Sequence, residues 1–210
     1  MVAIRNSIQA YLDTKVGDRK LGNFKYGVYA FYDYDGEPIY VGQTYETIRT
    51  RIRRHLTNQR TDAVAMNVLD PFEVAEIEIW PLIVAEGTSE KKAEALLNRL
   101  EYTVFQKVVR TSTFKAVLNE KDVEKARTVP LPPSYRQSII PKELLEGRKH
   151  PDVRIARRAS TMANLARVIS ERKVSTGLRR TLVTQARRLE RLAKERYAQV
   201  ARHPMATLED

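Results

Sequence analysis

Two short runs of strand-forming residues flank an Asp-Gly pair, and this feature constrains the fold most. Tyr26–Asp33 (Tyr-Gly-Val-Tyr-Ala-Phe-Tyr-Asp) precedes Asp35-Gly36, and Ile39-Tyr40-Val41-Gly42 follows it. Asp-Gly between such runs signals a tight antiparallel hairpin, because Gly accepts the positive φ that the turn demands. A lone hairpin is barely stable in water, so other elements must cover it. Gly42 is expected to end the returning strand.

The surrounding pattern supplies the cover. Ile4, Ile8 and Tyr11 share one face of a short leading helix over residues 2–12. Thr44 to Thr57 reads as a helix with Thr44 or Thr47 as N-cap. Phe72 to Leu82 alternates apolar and polar residues, with a slip at Ala75, and reads as a third strand. A long helix starts after Ser89 and runs to about Val109. The fold class is therefore α+β, with a small three-stranded antiparallel sheet flanked by helices and followed by a basic helical C-terminal hairpin.

That hairpin is read from residues 151–210. Pro151-Asp152 open a helix toward Ile169, with Ile155, Ala159, Met162, Ala166 and Ile169 recurring at spacings of four and three. A second helix spans about Gly177 to Ala201, with Leu182, Ala186, Leu189, Ala193 and Val200 expected to face inward. Pro130, Pro132, Pro133 and Pro141 mark residues 129–150 as an irregular connector. The chain thus divides into a domain over 1–128, a connector over 129–150 and a basic helical region over 151–210. The last is expected to be removable without unfolding the first.

Charge singles out the tail. The net charge is +11 over 210 residues. From Arg148 onward 16 Lys and Arg face 6 Asp and Glu, whereas residues 1–147 hold 21 against 20. A concentrated basic segment attracts polyanions, with nucleic acid foremost and an anionic membrane surface as competitor. Arg180, Arg187, Arg191 and Lys194 fall on one helical stripe suited to a phosphate backbone. A solvated face in a dimerising coiled coil is the bland alternative, so a homodimer stays open. The chain has no Cys, which removes disulfides and Cys-based zinc sites. No stretch of 18 apolar residues is present, and a soluble cytoplasmic protein is the expectation.

Three groups of residues carry chemistry. Tyr29 and Tyr40 lie on paired strands, so their hydroxyls converge if both face one side. Arg51 and His55 are four apart on one helix and share a face. Arg forks onto phosphates, and His exchanges protons near neutral pH. Their blander reading is a solvated basic face, since Arg49, Arg53, Arg54 and Arg60 crowd the same segment. Glu101 has Leu97, Val104, Phe105 and Val108 as its helical neighbours. A carboxylate in an apolar stripe is costly without a metal ion or a fixed Arg beside it, or an interhelical ion pair. There is no P-loop, dinucleotide-binding Gly motif, His-Glu-x-x-His or nucleophile elbow. Asp33, Asp35 and Glu37 are explained by their place at a hairpin turn.

Gly27-Val28-Tyr29 and Tyr40-Val41-Gly42 resemble the two blocks that name the GIY-YIG nuclease family, each with Val in place of Ile. Arg51, His55, Glu101 and Asn119 follow at suitable spacing, though the interval from Glu101 to Asn119 is longer than in the family. The resemblance covers about residues 26–120. It implies phosphodiester hydrolysis on DNA with one divalent ion, magnesium or alternatively manganese, held by Glu101 and water. It further implies Tyr29 as proton acceptor with His55 assisting, Tyr40 positioning water or phosphate, Arg51 holding the phosphate, and Asn119 steadying the site. His55 on the Arg51 helix resembles the restriction branch, and the chain's size also suits a mobile-element enzyme. A non-catalytic DNA-binding module that keeps the fold is the alternative, and a helical protein-interaction subunit is a third reading.

Overall fold

The computed structural model describes residues 2–56 and 69–202. Helix α1 (Val2–Leu12) leads into a minimal hairpin, β1 (Lys15–Val16) and β2 (Arg19–Lys20). The main sheet begins with β3 (Gly27–Tyr32) and β4 (Pro38–Thr44), and α2 (Ile48–Leu56) follows. Then come β5 (Glu76–Pro81), the long α3 (Glu90–Thr111) and β6 (Tyr135–Ser138). The chain closes with α4 (Lys142–Lys149), α5 (Pro151–Glu171) and α6 (Thr176–Arg202). The α+β class holds, and the helices flank an antiparallel sheet. No helix among the described residues is long and apolar enough to cross a membrane.

The sheet has four strands among the described residues, in the order β4-β3-β5-β6, rather than three. The extra strand, β6, comes from the stretch read as an irregular connector, and α4 follows it in the same stretch. Tyr135-Arg136-Gln137-Ser138 is too short and polar to signal a strand alone; pairing with Glu76–Ile79 makes it one. The strand read over Phe72–Leu82 is shorter. Pro71–Glu73 form a single 3-10 turn, capped by Asp70, whose carboxylate accepts from the Phe72 amide. The predicted extension of α2 to Thr57 lies outside the described residues. Thr47, not Thr44, sits at the start of α2, where its hydroxyl accepts from the Thr50 amide.

Alternation along β3 assigns the two faces. Val28, Ala30 and Tyr32 pack on Leu97, Leu100, Val104 and Val108 of α3. Tyr29 and Phe31 face the opposite layer, with Ile48 and Ile52 of α2 and Ile8, Tyr11 and Leu12 of α1. Leu165 of α5 and Leu178 of α6 belong to that same apolar cluster.

The hairpin of α5 and α6 forms, but its buried faces differ from the predicted ones. Arg154, Arg158, Leu165 and Val168 are the buried residues of α5. Gly177, Leu178, Thr181, Thr184, Gln185, Arg188 and Leu192 are those of α6, while Ala186, Ala193 and Val200 are exposed. Apolar periodicity missed this because the inner face is partly polar. It meets acids: Asp33 Oδ2 accepts from Arg188 Nη2 at 2.6 Å and from Arg158 Nη2 at 2.8 Å. Arg154 bonds both carboxylate oxygens of Asp35, and Arg158 Nε donates to Glu73. Asp33 does hold its turn, with Oδ1 accepting the Asp35 and Glu37 amides, and it also anchors the tail. Part of the tail's positive charge therefore answers acids of the N-terminal region.

Candidate active site

The site grows from the register of the hairpin. Tyr29 pairs with Gly42 across β3 and β4. Gly42 does not end its strand, which continues to Thr44. A Cβ on Gly42 would stand 2.7 Å from the Tyr29 hydroxyl and 2.8 Å from Tyr40 Cε1. The missing side chain lets both Tyr rings lie over the strand, with centroids 6.1 Å apart.

Helix α2 completes the cluster. Ile48, Ile52 and His55 are its buried side chains, and Arg51 is half-buried beside them. His55 Nε2 lies 2.7 Å from the Tyr29 hydroxyl, and Arg51 Nε donates to the same oxygen at 3.0 Å. The Tyr40 ring stands 5.3 Å from the His55 ring. Arg51 and His55 thus share one face of α2 and meet at the Tyr29 hydroxyl. The neighbouring cations turn elsewhere: Arg49 to Asp13, Arg53 to Gln9 and Arg54 to Glu46. Burial works against the Arg51 charge, yet Tyr29 holds the guanidinium pKa above its ordinary value.

Glu101 lies on α3, half-buried beside the buried Leu97, Leu100 and Val104. It has no hydrogen bond or ion pair among the described residues. Burial pushes its pKa up to about 7; Arg51 pulls it down and Glu124 adds to the rise. A carboxylate this desolvated and unpaired suits a hard divalent cation, which supplies the missing counter-charge. No group of three or more His, Cys, Asp or Glu among the described residues makes a fuller cage. The residues present therefore fit one ion held by one protein carboxylate, with the remaining ligands left to water and substrate.

Asn119 acts differently from the others. Its Oδ1 accepts from the Val41 amide at 3.1 Å and its Nδ2 donates to the Val41 carbonyl at 2.7 Å. Together with the Leu118 amide, which donates to Ile39 O, it stands in for a further strand on the β4 edge. Its side-chain amide thus holds β4, the strand that carries Tyr40. Residues 25–111 match the model of the GIY-YIG catalytic domain. The chain carries a GIY-YIG domain. No curated protein and no solved structure matches the chain.

The match to the GIY-YIG catalytic domain over residues 25–111 supports a nuclease-type function in general. The structure brings Tyr29, Tyr40, Arg51 and His55 into one cluster, sets Glu101 within the electrostatic reach of Arg51, and places Asn119 behind β4. Arg180, Arg187, Arg191 and Lys194 are elsewhere, exposed on α6. Arg180 pairs with Asp122, Arg191 with Glu195 and Lys194 with Glu190. Sequence reading overlooked the spacer role of Gly42, whose signal is its place opposite Tyr29 in the hairpin. It also overlooked a hydrogen-bonded trio beside the site: Gln43 Nε2 donates to Asn98 Oδ1 and to the Tyr45 hydroxyl.

Gly42→Ala tests the packing. The added methyl must displace the Tyr29 hydroxyl from His55 and Arg51, and overpacking of this kind costs about 1–3 kcal/mol. Single-turnover cleavage should fall by about tenfold or more, because small misplacements of a reacting group are expensive. A wild-type rate in a folded variant contradicts the spacer role.

Proposed function

We propose that this chain is a divalent-metal-dependent DNA endonuclease in which Tyr29 relays a proton from the attacking water to His55. The carrying observation is the Tyr29 hydroxyl, held between His55 Nε2 and Arg51 Nε. Arg51 fills one lone pair of that oxygen, so the hydroxyl proton can point at His55, whose ring then carries its own proton on Nδ1. As Tyr29 takes a proton from water, its own passes to His55 and Arg51 balances the charge on the phenol oxygen. The hydroxide formed attacks phosphorus, and the bond to the 3′ oxygen breaks. That oxygen takes a proton from solvent, leaving a 3′-hydroxyl and a 5′-phosphate.

Tyr29 and His55 are buried, while Tyr40, Arg51 and Glu101 are half-buried around them. The rim therefore meets the substrate first. Arg51 bonds Tyr29 through Nε from this rim, and the outer nitrogens of its planar fork suit a phosphate. With Nε kept on Tyr29, the guanidinium can hold a phosphate and still balance the charge on the phenol oxygen. Tyr40 orients the water or the phosphate. Glu101 would hold the magnesium or manganese ion, which when bound neutralises phosphoryl charge and stabilises the leaving oxygen.

The exposed stripe of α6, with Arg180, Arg187, Arg191 and Lys194, supplies the DNA contact in this reading. Exposed ion pairs are worth at most about 1 kcal/mol, so phosphates can displace Asp122, Glu190 and Glu195 as partners. His55 in direct contact with Tyr29 supports a restriction-like or mobile-element role. The test is conversion of supercoiled plasmid with magnesium and with chelator. Cleavage should require the metal and be lost in Glu101→Ala while gel-shift affinity persists. A folded Glu101→Ala that cuts like the wild type overturns the metal assignment. Affinity without cleavage under any metal favours a DNA-binding module.

A further inference from the structure

Helix α6 lies outside the matched GIY-YIG segment, yet one of its residues reaches the β3–β4 hairpin and two reach the Asn119–Glu120 segment beside β4. Arg188, almost wholly buried, donates to the Pro38 carbonyl at the start of β4 and to Asp33 at the end of β3. Thr181 Oγ1 donates to the Asn119 carbonyl at 3.4 Å. In the first turn, Gly177 lies so close to the Glu120 carbonyl that an added Cβ would fall inside contact distance of that oxygen. The first turn of α6 thus seats the Asn119–Glu120 segment, and Asn119 in turn grips both backbone groups of Val41. Val41 lies between Tyr40 and the spacer Gly42.

We propose that Gly177, Thr181 and Arg188 are positioning residues for the nuclease reaction, acting through Asn119 and the β3–β4 turn to hold Tyr40 and Gly42 against Tyr29. The inference rests on the nuclease reading for its kinetic consequence, but the coupling itself is structural and can be read separately. The adjoining face of α6, about 90° around the helix, carries the exposed Arg180, Arg187, Arg191 and Lys194. One helix therefore joins the proposed DNA contact to the strand that carries Tyr40.

Gly177→Ala forces α6 or the Asn119–Glu120 segment to move. Thr181→Val is nearly isosteric and removes only the hydroxyl, so it keeps the proposal testable if Gly177→Ala fails to fold. Gly147→Ala, in α4 with open space around the added methyl, is the control. Each full-length variant is assayed by single-turnover cleavage, DNA affinity and amide hydrogen exchange at Val41. Gly177→Ala should lower kcat by about tenfold or more with affinity within about twofold, since only geometry is lost. Exchange at Val41 should accelerate in Gly177→Ala and in Thr181→Val, and Thr181→Ser should restore it. The control should match the wild type. Unchanged Val41 exchange in folded Gly177→Ala and Thr181→Val overturns the proposal, whether or not the wild type cleaves. Faster exchange with an unchanged cleavage rate overturns the positioning role and leaves the nuclease reading standing. Failure of the wild type to cut contradicts the nuclease reading, and the exchange measurements still decide the coupling.

Discussion

Tyr29→Phe removes one oxygen and should slow single-turnover cleavage by about a hundredfold or more, with DNA affinity nearly unchanged. The ring keeps its packing against Phe31 and Tyr40, so the fold loses little. What disappears is the atom that His55 and Arg51 share. Arg51 then loses an internal acceptor and can bind a phosphate freely, which keeps affinity up while the proton route is cut. Saturating enzyme separates the chemical step from binding. If cleavage and affinity fall together and equally, Tyr29 is a packing or binding residue and the relay fails.

Asp33→Ala should destabilise the chain by about 3–5 kcal/mol, the cost of leaving buried charges without their partner. Asp33 Oδ2 meets Arg154, Arg158 and Arg188, three buried guanidiniums from two helices. Its other oxygen accepts the Asp35 and Glu37 amides, so the turn loses its fastening as well. At roughly 2–4 °C per kcal/mol for a chain this size, Tm should drop by about 6–20 °C. The same packing predicts that deletion of the tail exposes Asp33, Glu73 and the apolar surface under Leu165 and Leu178, so the remainder should not fold as a stable unit. A Tm within about 2 °C of wild type for Asp33→Ala means that the tail is held by its apolar contacts instead.

Much of the site was readable in the sequence because it depends on local period. Tyr29 and Tyr40 on paired strands follow from the hairpin, and Arg51 beside His55 follows from a four-residue step on a helix. Glu101 declared itself as a carboxylate among Leu and Val. Non-local pairing was not readable. Tyr135–Ser138 is a strand because Glu76–Ile79 lies alongside it, and nothing in four polar residues says so. The inner face of α5 and α6 was misassigned because Arg154, Arg158 and Arg188 occupy positions where apolar residues were sought. Their partners, Asp33 and Glu73, are far away in the chain. The Arg spacing of four between 154 and 158 was a signal, but exposed and buried Arg look alike until an acid is found opposite them. Gly42 was read as a terminator because glycine usually weakens a strand, whereas here it clears space for two Tyr rings.

The central claim is phosphodiester hydrolysis at a Tyr29-centred site, and end mapping of cut DNA tests it most directly. A labelled duplex cut by the full chain in magnesium should yield 3′-hydroxyl and 5′-phosphate ends, and chelator should abolish the products. DNA that is bound but left intact under every divalent metal, or products that appear equally in chelator, would contradict it.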